Sequence, residues 1–359
     1  MKIELLGFSK ILINKILLFL TIILLIEVVF GYWFDKNNFG PYMREHRMKK
    51  TLYQIKTKDK IINYTYKRNY NGFRGNEINS NEIDIIFVGG SAVDEKYKPE
   101  KLTIVGFLNK NLEKENIKIK VVNAGIEGQS TIGHVANFKY WYPKLKEFSP
   151  KYIIFYVGGR DAKHNISNKN IIETEDGMIL NPNPGEIFTD NIKSRSVIFD
   201  SIKRIKHRYY KGNEKKRLVY DFNTMSKKKS YGEKYLNYDQ KIMNYNVNKI
   251  LESNFEKIDS FLNNIDKLAD HTKKLGAKPV FINQSANISE ISKKLFALNI
   301  SLIDHCKKNN YICVDLAKEL TSTLDYWWGD IHSTPLGSEK IANIIFLKIK
   351  TYLKNDYLN

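Results

Sequence analysis

Five short apolar runs punctuate this chain. Residues 83–88 (IDIIFV), 117–124 (IKIKVVNA), 152–157 (YIIFYV), 279–283 (PVFIN) and 311–316 (YICVDL) are rich in Val, Ile, Phe and Tyr. Strands covered on both faces carry such runs, because neither side of the pleat meets water. The stretches between them change period. Within 245–275, Leu251, Phe255, Ile258, Leu262, Ile265 and Leu268 recur every three or four residues, and Gly276 stands where a helix C-cap belongs. Strands alternating with helices predict an α/β fold with a parallel, doubly wound sheet.

Five such strands predict a three-layer α/β/α sandwich of flavodoxin-like type over residues 83–359. Two regions depart from the rhythm. Residues 36–82 read as a polar, tyrosine-rich connector with a turn at 71–77 (NGFRGNE). Residues 162–240 hold no convincing strand–helix unit, only a Pro/Asn/Gly turn at 181–186 and a basic run, and read as a partly helical insertion on the rim of the sheet.

The N-terminus has a third pattern. Residues 16–34 (ILLFLTIILLIEVVFGYWF) contain a single charge, Glu27. At ~1.5 Å per residue this run nearly matches a bilayer core. Tyr32, Trp33 and Phe34 close it as an interfacial aromatic belt. Lys2, Lys10 and Lys15 precede it, and no small-x-small cleavage site follows, so residues 1–35 are expected to be an uncleaved transmembrane signal anchor. Lys36, Arg44, Arg47, Lys49 and Lys50 outnumber the preceding lysines, which leans against export. Large domains translocate largely regardless of charge, however, and an extracytoplasmic domain is the favoured orientation.

Composition adds little to this. With 58 Lys+Arg against 39 Asp+Glu the net charge is +19 over 359 residues. From Lys193 to Lys229 there are thirteen basic residues and three acids, Asp200, Glu214 and Asp221. Anionic headgroups or an acidic polysaccharide would be met by such a run, and so would solvent alone. No zinc-finger spacing, aromatic RNA-binding signature or basic heptad accompanies the charge, so nucleic acid is not an expected partner. No Cys-x-x-Cys or His-x-x-x-His cluster calls for a metal. The two cysteines, Cys306 and Cys313, fall on a predicted helix and the next strand, which leaves a disulfide open.

Candidate chemistry lies at the strand ends. Ser91 follows the first strand in VGGSA, and Gly128 follows the second in NAGIEGQST. Arg160 and Asp161 follow the third in GGRD, and His332 stands in GDIHSTPLG before the last helix. In this order the blocks resemble those of the SGNH (GDSL-like) hydrolase superfamily over roughly 83–165 and 277–350. The resemblance implies a cofactor-free serine hydrolase. Ser91 would attack an ester carbonyl, and His332 would take its proton. The Ser91 and Gly128 N–H groups would then hold the oxyanion. Gly at 128 suits a backbone that must approach a substrate closely.

The chain departs from the family pattern twice. Arg160 replaces the family's asparagine, where it could stand in for the amide, bind an anionic substrate group, or mark a site that has drifted from esterase chemistry. Asp161 is expected to pin its loop. Three residues before His332, where the family has Asp, stands Gly329. Asp330, two before, is the candidate for orienting the imidazole. A backbone carbonyl near Gly329 serving a Ser–His dyad is the alternative. His134 and His164 are near enough in sequence to reach the pocket, although both read more simply as rim residues.

The expected function is therefore a membrane-anchored serine esterase cleaving an O-acyl group, O-acetyl above all, from an envelope polysaccharide. The glycan substrate is implied by the resemblance alone. An O-acyltransferase using the same serine, or a non-catalytic glycan-binding protein that kept the fold, are the alternatives.

Overall fold

The computed structural model describes residues 2–34, 39, 42–43, 46–56, 61–163, 172–173, 179–180, 188–189, 192–193, 195–209, 218–221, 245–286, 289–320, 326–328 and 331–357. Helix α1 (Lys2–Phe30) comes first, followed by an antiparallel hairpin, β1 (Lys50–Lys56) and β2 (Ile61–Lys67). Then come β3 (Ile85–Gly89), α2 (Ser91–Asp94), α3 (Ile104–Lys114), β4 (Val121–Asn123), α4 (Thr131–Tyr140) and β5 (Tyr152–Val157). The rim segment contributes a short pair, β6 (Ile172–Glu173) and β7 (Ile179–Leu180), then α5 (Val197–Tyr209) and β8 (Leu218–Asp221). The chain closes with α6 (Val247–Glu252), α7 (Phe255–Lys274), β9 (Lys278–Asn283), α8 (Ser289–Asn309), β10 (Ile312–Val314), α9 (Leu316–Glu319) and α10 (Pro335–Tyr357).

The central sheet is parallel throughout and ordered β10-β9-β5-β3-β4. Counting only its own strands this is the 2-1-3-4-5 order of a doubly wound sheet, whose direction of winding reverses between β3 and β5. Alternate residues of the same strands feed two separate cores, as a period of two demands. Ile86, Val88, Ile153 and Phe155 pack with Phe261, Ile265 and Leu268 of α7 and Leu295, Leu298 and Leu302 of α8. Ile85, Phe87, Ile154 and Tyr156 pack with Leu108 and Leu112 of α3 and Ile341, Ile345 and Ile349 of α10. The five-stranded α/β/α sandwich expected from the apolar runs is thus present. Observed strands are shorter than several of those runs: 117–124 supplies only β4, although Ile117 and Ile119 are buried ahead of it.

Helix α1 ends at Phe30, with Gly31 N–H still donating to the Glu27 carbonyl at 2.8 Å. Its apolar window, Ile11–Phe30, spans 20 residues and buries none of its length against the domain. Tyr32, Trp33 and Phe34 lie beyond the helix, so the apolar helix starts earlier and stops sooner than the 16–34 run suggests.

The segment read as a connector is built into the domain. Hairpin β1–β2 recruits β8 alongside β1 in parallel, forming a three-stranded sheet. After β2 the chain turns at Gly72, where φ is +92° and an added Cβ would lie 2.5 Å from Met43 Cε, so glycine is required. Isolated bridges then stitch Arg74 to Arg68 and to Asn123 at the end of β4. Arg68 reaches under the sheet edge to pair with Asp94 at 3.0 Å, with both side chains almost fully buried. Tyr66 Oη donates to the same Asp94 oxygen at 2.7 Å, and Arg68 Nη1 also donates to the Gly125 carbonyl at 2.7 Å. Cys306 of α8 and Cys313 of β10 are joined in a disulfide, with Cα atoms 6.3 Å apart.

Arg68→Met strands a buried carboxylate, and its expected cost is about 3–5 kcal/mol in denaturant unfolding of the full chain. Adding Asp94→Leu to that variant is expected to recover most of the loss, since an apolar pair leaves no charge unsatisfied.

Candidate active site

The nucleophile loop is set by crowding. Gly89 and Gly90 carry the chain from β3 into α2, and a Cβ on Gly90 would lie 2.8 Å from the Gln129 carbonyl oxygen. A Cβ on Gly125 would sit 2.2 Å from the Asp94 nitrogen. Glycines there let the loops after β3 and β4 lie backbone to backbone, and the Ile126 N–H donates to the Gly89 carbonyl at 3.0 Å. Ser91 therefore opens α2 at the C-terminal edge of the sheet, next to the winding reversal. Gly128, at φ +85°, lies on the loop after β4, next to the Gln129 backbone that crowds Gly90.

His332 arrives from the far end of the chain. Its carbonyl accepts from the Trp328 N–H at 2.8 Å, Trp327 bridges Ser333, and the Thr334 N–H donates to the Tyr326 carbonyl at 2.9 Å. Helix α10 begins immediately afterwards. Gly337 is needed there because the Tyr326 carbonyl oxygen passes 2.3 Å from where its Cβ would be. The result is a distance of 3.0 Å between His332 Nε2 and Ser91 Oγ. The Tyr97 ring packs edge-on against the imidazole at 5.7 Å. A half-buried hydroxyl within hydrogen-bond reach of a ring nitrogen is the arrangement a nucleophile and its base require.

The remaining candidates separate. Arg160 Nε donates to the Gly128 carbonyl at 3.1 Å, so the guanidinium braces the loop that faces Ser91. Asp161 accepts from the Thr131 N–H at 3.0 Å, the Thr131 hydroxyl at 2.6 Å and the Gly158 N–H at 3.2 Å. It ties the loop after β5 to the start of α4. Among the described residues no protein acceptor takes the Ser91 or Gly128 N–H. Asp330, with Gly329, lies outside the described residues, and so does His164. His134 is 1% exposed and its Nδ1 lies 3.3 Å from Gln129 Oε1, inside a network with Asn137 and Tyr42. The polar reading suits it, but as a core residue under the Gly128 loop rather than at the rim.

A second set of polar residues escaped the sequence reading. Directly after Ser91, Glu95 and Lys98 are buried and form an ion pair. Lys98 Nζ donates to the Ser333 carbonyl at 2.7 Å and to its hydroxyl at 3.1 Å, and it also reaches the Ser338 hydroxyl. Glu95 Oε1 accepts from Ser333 Oγ at 3.0 Å and from Ser338 Oγ at 2.6 Å. These bonds join the exit of α2 to the residue after His332, and so fix the separation of serine and histidine. The sequence signal was present in the charged DEKYK after the serine and in the two serines of STPLGS. It is indistinguishable there from an ordinary solvated turn.

Burial holds the Lys98 ammonium down to about 8, against the opposing pull of Glu95. Unfolded lysine keeps its proton to 10.5, so between about 8 and 10.5 the unfolded chain binds more protons than the folded one. Stability from this group therefore rises with pH through that window. Lys98→Met is expected to flatten that rise when denaturant unfolding is compared below and above it.

No protein-family model and no curated protein sequence matches the chain. Solved structures with similar backbones include TesA, at 13% identity and TM-score 0.44, covering 74% of this chain and 98% of that one. A catalytic mutant of Axe2, an acetylxylan esterase from Geobacillus stearothermophilus, is similar at 12% identity and TM-score 0.42, covering 76% and 95%. The psychrotrophic esterase EstA from Pseudoalteromonas sp. is similar at 11% identity and TM-score 0.40, covering 76% and 99%. The chemistry of the site rests on its own atoms and not on these likenesses.

Proposed function

We propose that this protein is a membrane-anchored serine esterase of SGNH type that removes O-acyl groups, O-acetyl above all, from an envelope polysaccharide. The observation that carries the reading is the 3.0 Å approach of His332 Nε2 to Ser91 Oγ at the C-terminal edge of a parallel sheet. Ser91 Oγ attacks the ester carbonyl carbon while His332 Nε2 takes the hydroxyl proton. The charge that develops on the carbonyl oxygen is met by the N–H groups of Ser91 and Gly128. Such donors contribute about 3–4 kcal/mol each when preorganised.

Collapse of the tetrahedral adduct breaks the bond to the sugar oxygen, which leaves with the proton held by His332. Water then attacks the acyl-serine and gives its proton to the same nitrogen. The second collapse returns that proton to Ser91 and releases the carboxylic acid. Asp330 is assigned to the imidazole's other nitrogen by its place two residues before His332. Arg160 acts by holding the Gly128 carbonyl, and with it the loop that carries the Gly128 N–H.

Several features support the cellular setting and substrate. The apolar window of α1 is long enough to cross a bilayer, and its side chains are exposed. A Cys306–Cys313 disulfide suits an oxidising compartment, in keeping with an extracytoplasmic domain. Tyr97 and Trp328 are half-buried beside His332, with Lys96 Nζ over the first ring and Lys98 Nζ over the second, and bring aromatic surface to the site, as pockets for organic substrates do.

The test is hydrolysis of p-nitrophenyl acetate and of an acetylated glycan by the full chain in detergent. Ser91→Ala and His332→Ala are each expected to lower kcat/KM by about 10³-fold or more, and the double variant to be no worse than either. Gly128→Ala, which puts a side chain at φ +85°, is expected to lose about 10²-fold in kcat with little change in KM. Wild-type turnover that survives Ser91→Ala would overturn the proposal.

A further inference from the structure

Helix α5 (Val197–Tyr209) wears its apolar side outward. An ordinary surface helix buries its apolar stripe and gives its polar side to water. Here Phe199, Ile202 and Ile205 are 46%, 44% and 57% exposed. At the start of the helix Ser196 is buried, and Asp200 accepts a hydrogen bond from Tyr32 Oη at 3.2 Å, so the helix is held to the protein by residues off its apolar face. Left in water, this face would be an unexplained apolar patch.

Its surroundings explain it. The start of α5 is fastened to the C-terminal end of α1. Glu27, the one acidic residue of the apolar window, accepts from the Ser196 hydroxyl and from the N–H groups of Val197 and Ile198, both at 3.2 Å. It thereby satisfies donors that a helix N-terminus leaves open, and its charge complements the helix dipole. Trp33 Nε1 donates to the same carboxylate at 3.0 Å, and the Tyr32 N–H donates to the Arg195 carbonyl at 2.8 Å. Helix α5 is thus held at the level where α1 leaves the apolar window. The same helix carries Lys203, Arg204, Lys206 and Arg208 against one acid, Asp200.

We infer that α5 is an interfacial helix lying on the membrane that α1 crosses. Its Phe199–Ile202–Ile205 face sits at the headgroup–acyl boundary, and Lys206, exposed on the same helix, lies among anionic headgroups. The inference rests on reading α1 as a membrane span and adds a second contact to it. One span alone leaves a domain free to swing. A span and an interfacial helix joined through Glu27 would fix which face of the domain meets the bilayer.

The test uses the full chain carrying Ile202→Cys. Both native cysteines are tied in the disulfide, so the new thiol alone takes an environment-sensitive fluorophore. In phosphatidylcholine–phosphatidylglycerol vesicles, lipid brominated near the headgroup end of its acyl chains is expected to cut emission about twofold, as burial ~5–10 Å into the boundary implies. The same label at Glu113→Cys, exposed on α3, is expected to be unaffected, and phosphatidylcholine alone is expected to quench position 202 less. Phe199→Asp with Ile205→Asp is expected to abolish quenching at 202 while p-nitrophenyl acetate hydrolysis shows the domain intact.

Flotation and alkaline extraction of the same vesicles read α1 separately. A chain that stays with the bilayer but is not quenched at 202 would overturn the interfacial helix and leave the anchor standing. A chain that does not float would overturn both.

Discussion

The site depends on a buried polar frame directly beneath the nucleophile. Asp94, Glu95 and Lys98 follow Ser91 within seven residues, and all three are buried. Each is answered by a partner from elsewhere in the chain: Arg68 for Asp94, and Ser333 and Ser338 for Glu95 and Lys98. Buried charges are tolerated only when paired and fully hydrogen-bonded, and an unpaired one is worse than none. The frame therefore cannot be half-built. Segments around 66–74, 91–98 and 333–338 must come together in one register, and that register puts His332 within reach of Ser91.

Fold and chemistry meet at the sheet edge. The parallel strands deliver Ser91, Gly128 and Arg160 to one edge, because each follows the C-terminal end of its own strand. Close glycine contacts then bring the first two loops together, and Arg160 braces the second. His332 has no strand to position it. Its place comes from the Trp327–Ser333 bridge, the start of α10 and the Lys98 contacts. Hydrophobic periodicity thus accounts for three of the segments, and buried electrostatics for the fourth.

The same division explains what was legible in the sequence. Period-two and period-three-to-four patterns report burial, so the five strands, α7 and the apolar N-terminal helix could be read directly. Ser91 and Gly128 stood out because glycine-rich turns followed strand ends, and His332 because it stood just before the Pro and Gly that open the last helix. The hairpin at 50–67 did not, because its Tyr, Lys, Thr and Asn alternate too weakly to declare a buried face. Arg68, Arg74, Glu95 and Lys98 were invisible as core residues, since charge in a sequence signals solvent until its partner is known. The outward face of α5 was hidden for the converse reason: periodicity shows that a helix is amphipathic but not which medium its apolar side meets.

The central claim is that Ser91 is a nucleophile activated by His332, and covalent trapping tests it most directly. The full chain would be treated with an alkyl fluorophosphonate and digested, and the adduct located by mass spectrometry. The account predicts one phosphonylated residue, Ser91, with labelling abolished by Ser91→Ala and slowed by about 10³-fold in His332→Ala. An unlabelled Ser91 in a protein that turns over ester, or a label on another residue whose loss tracks activity, would contradict it.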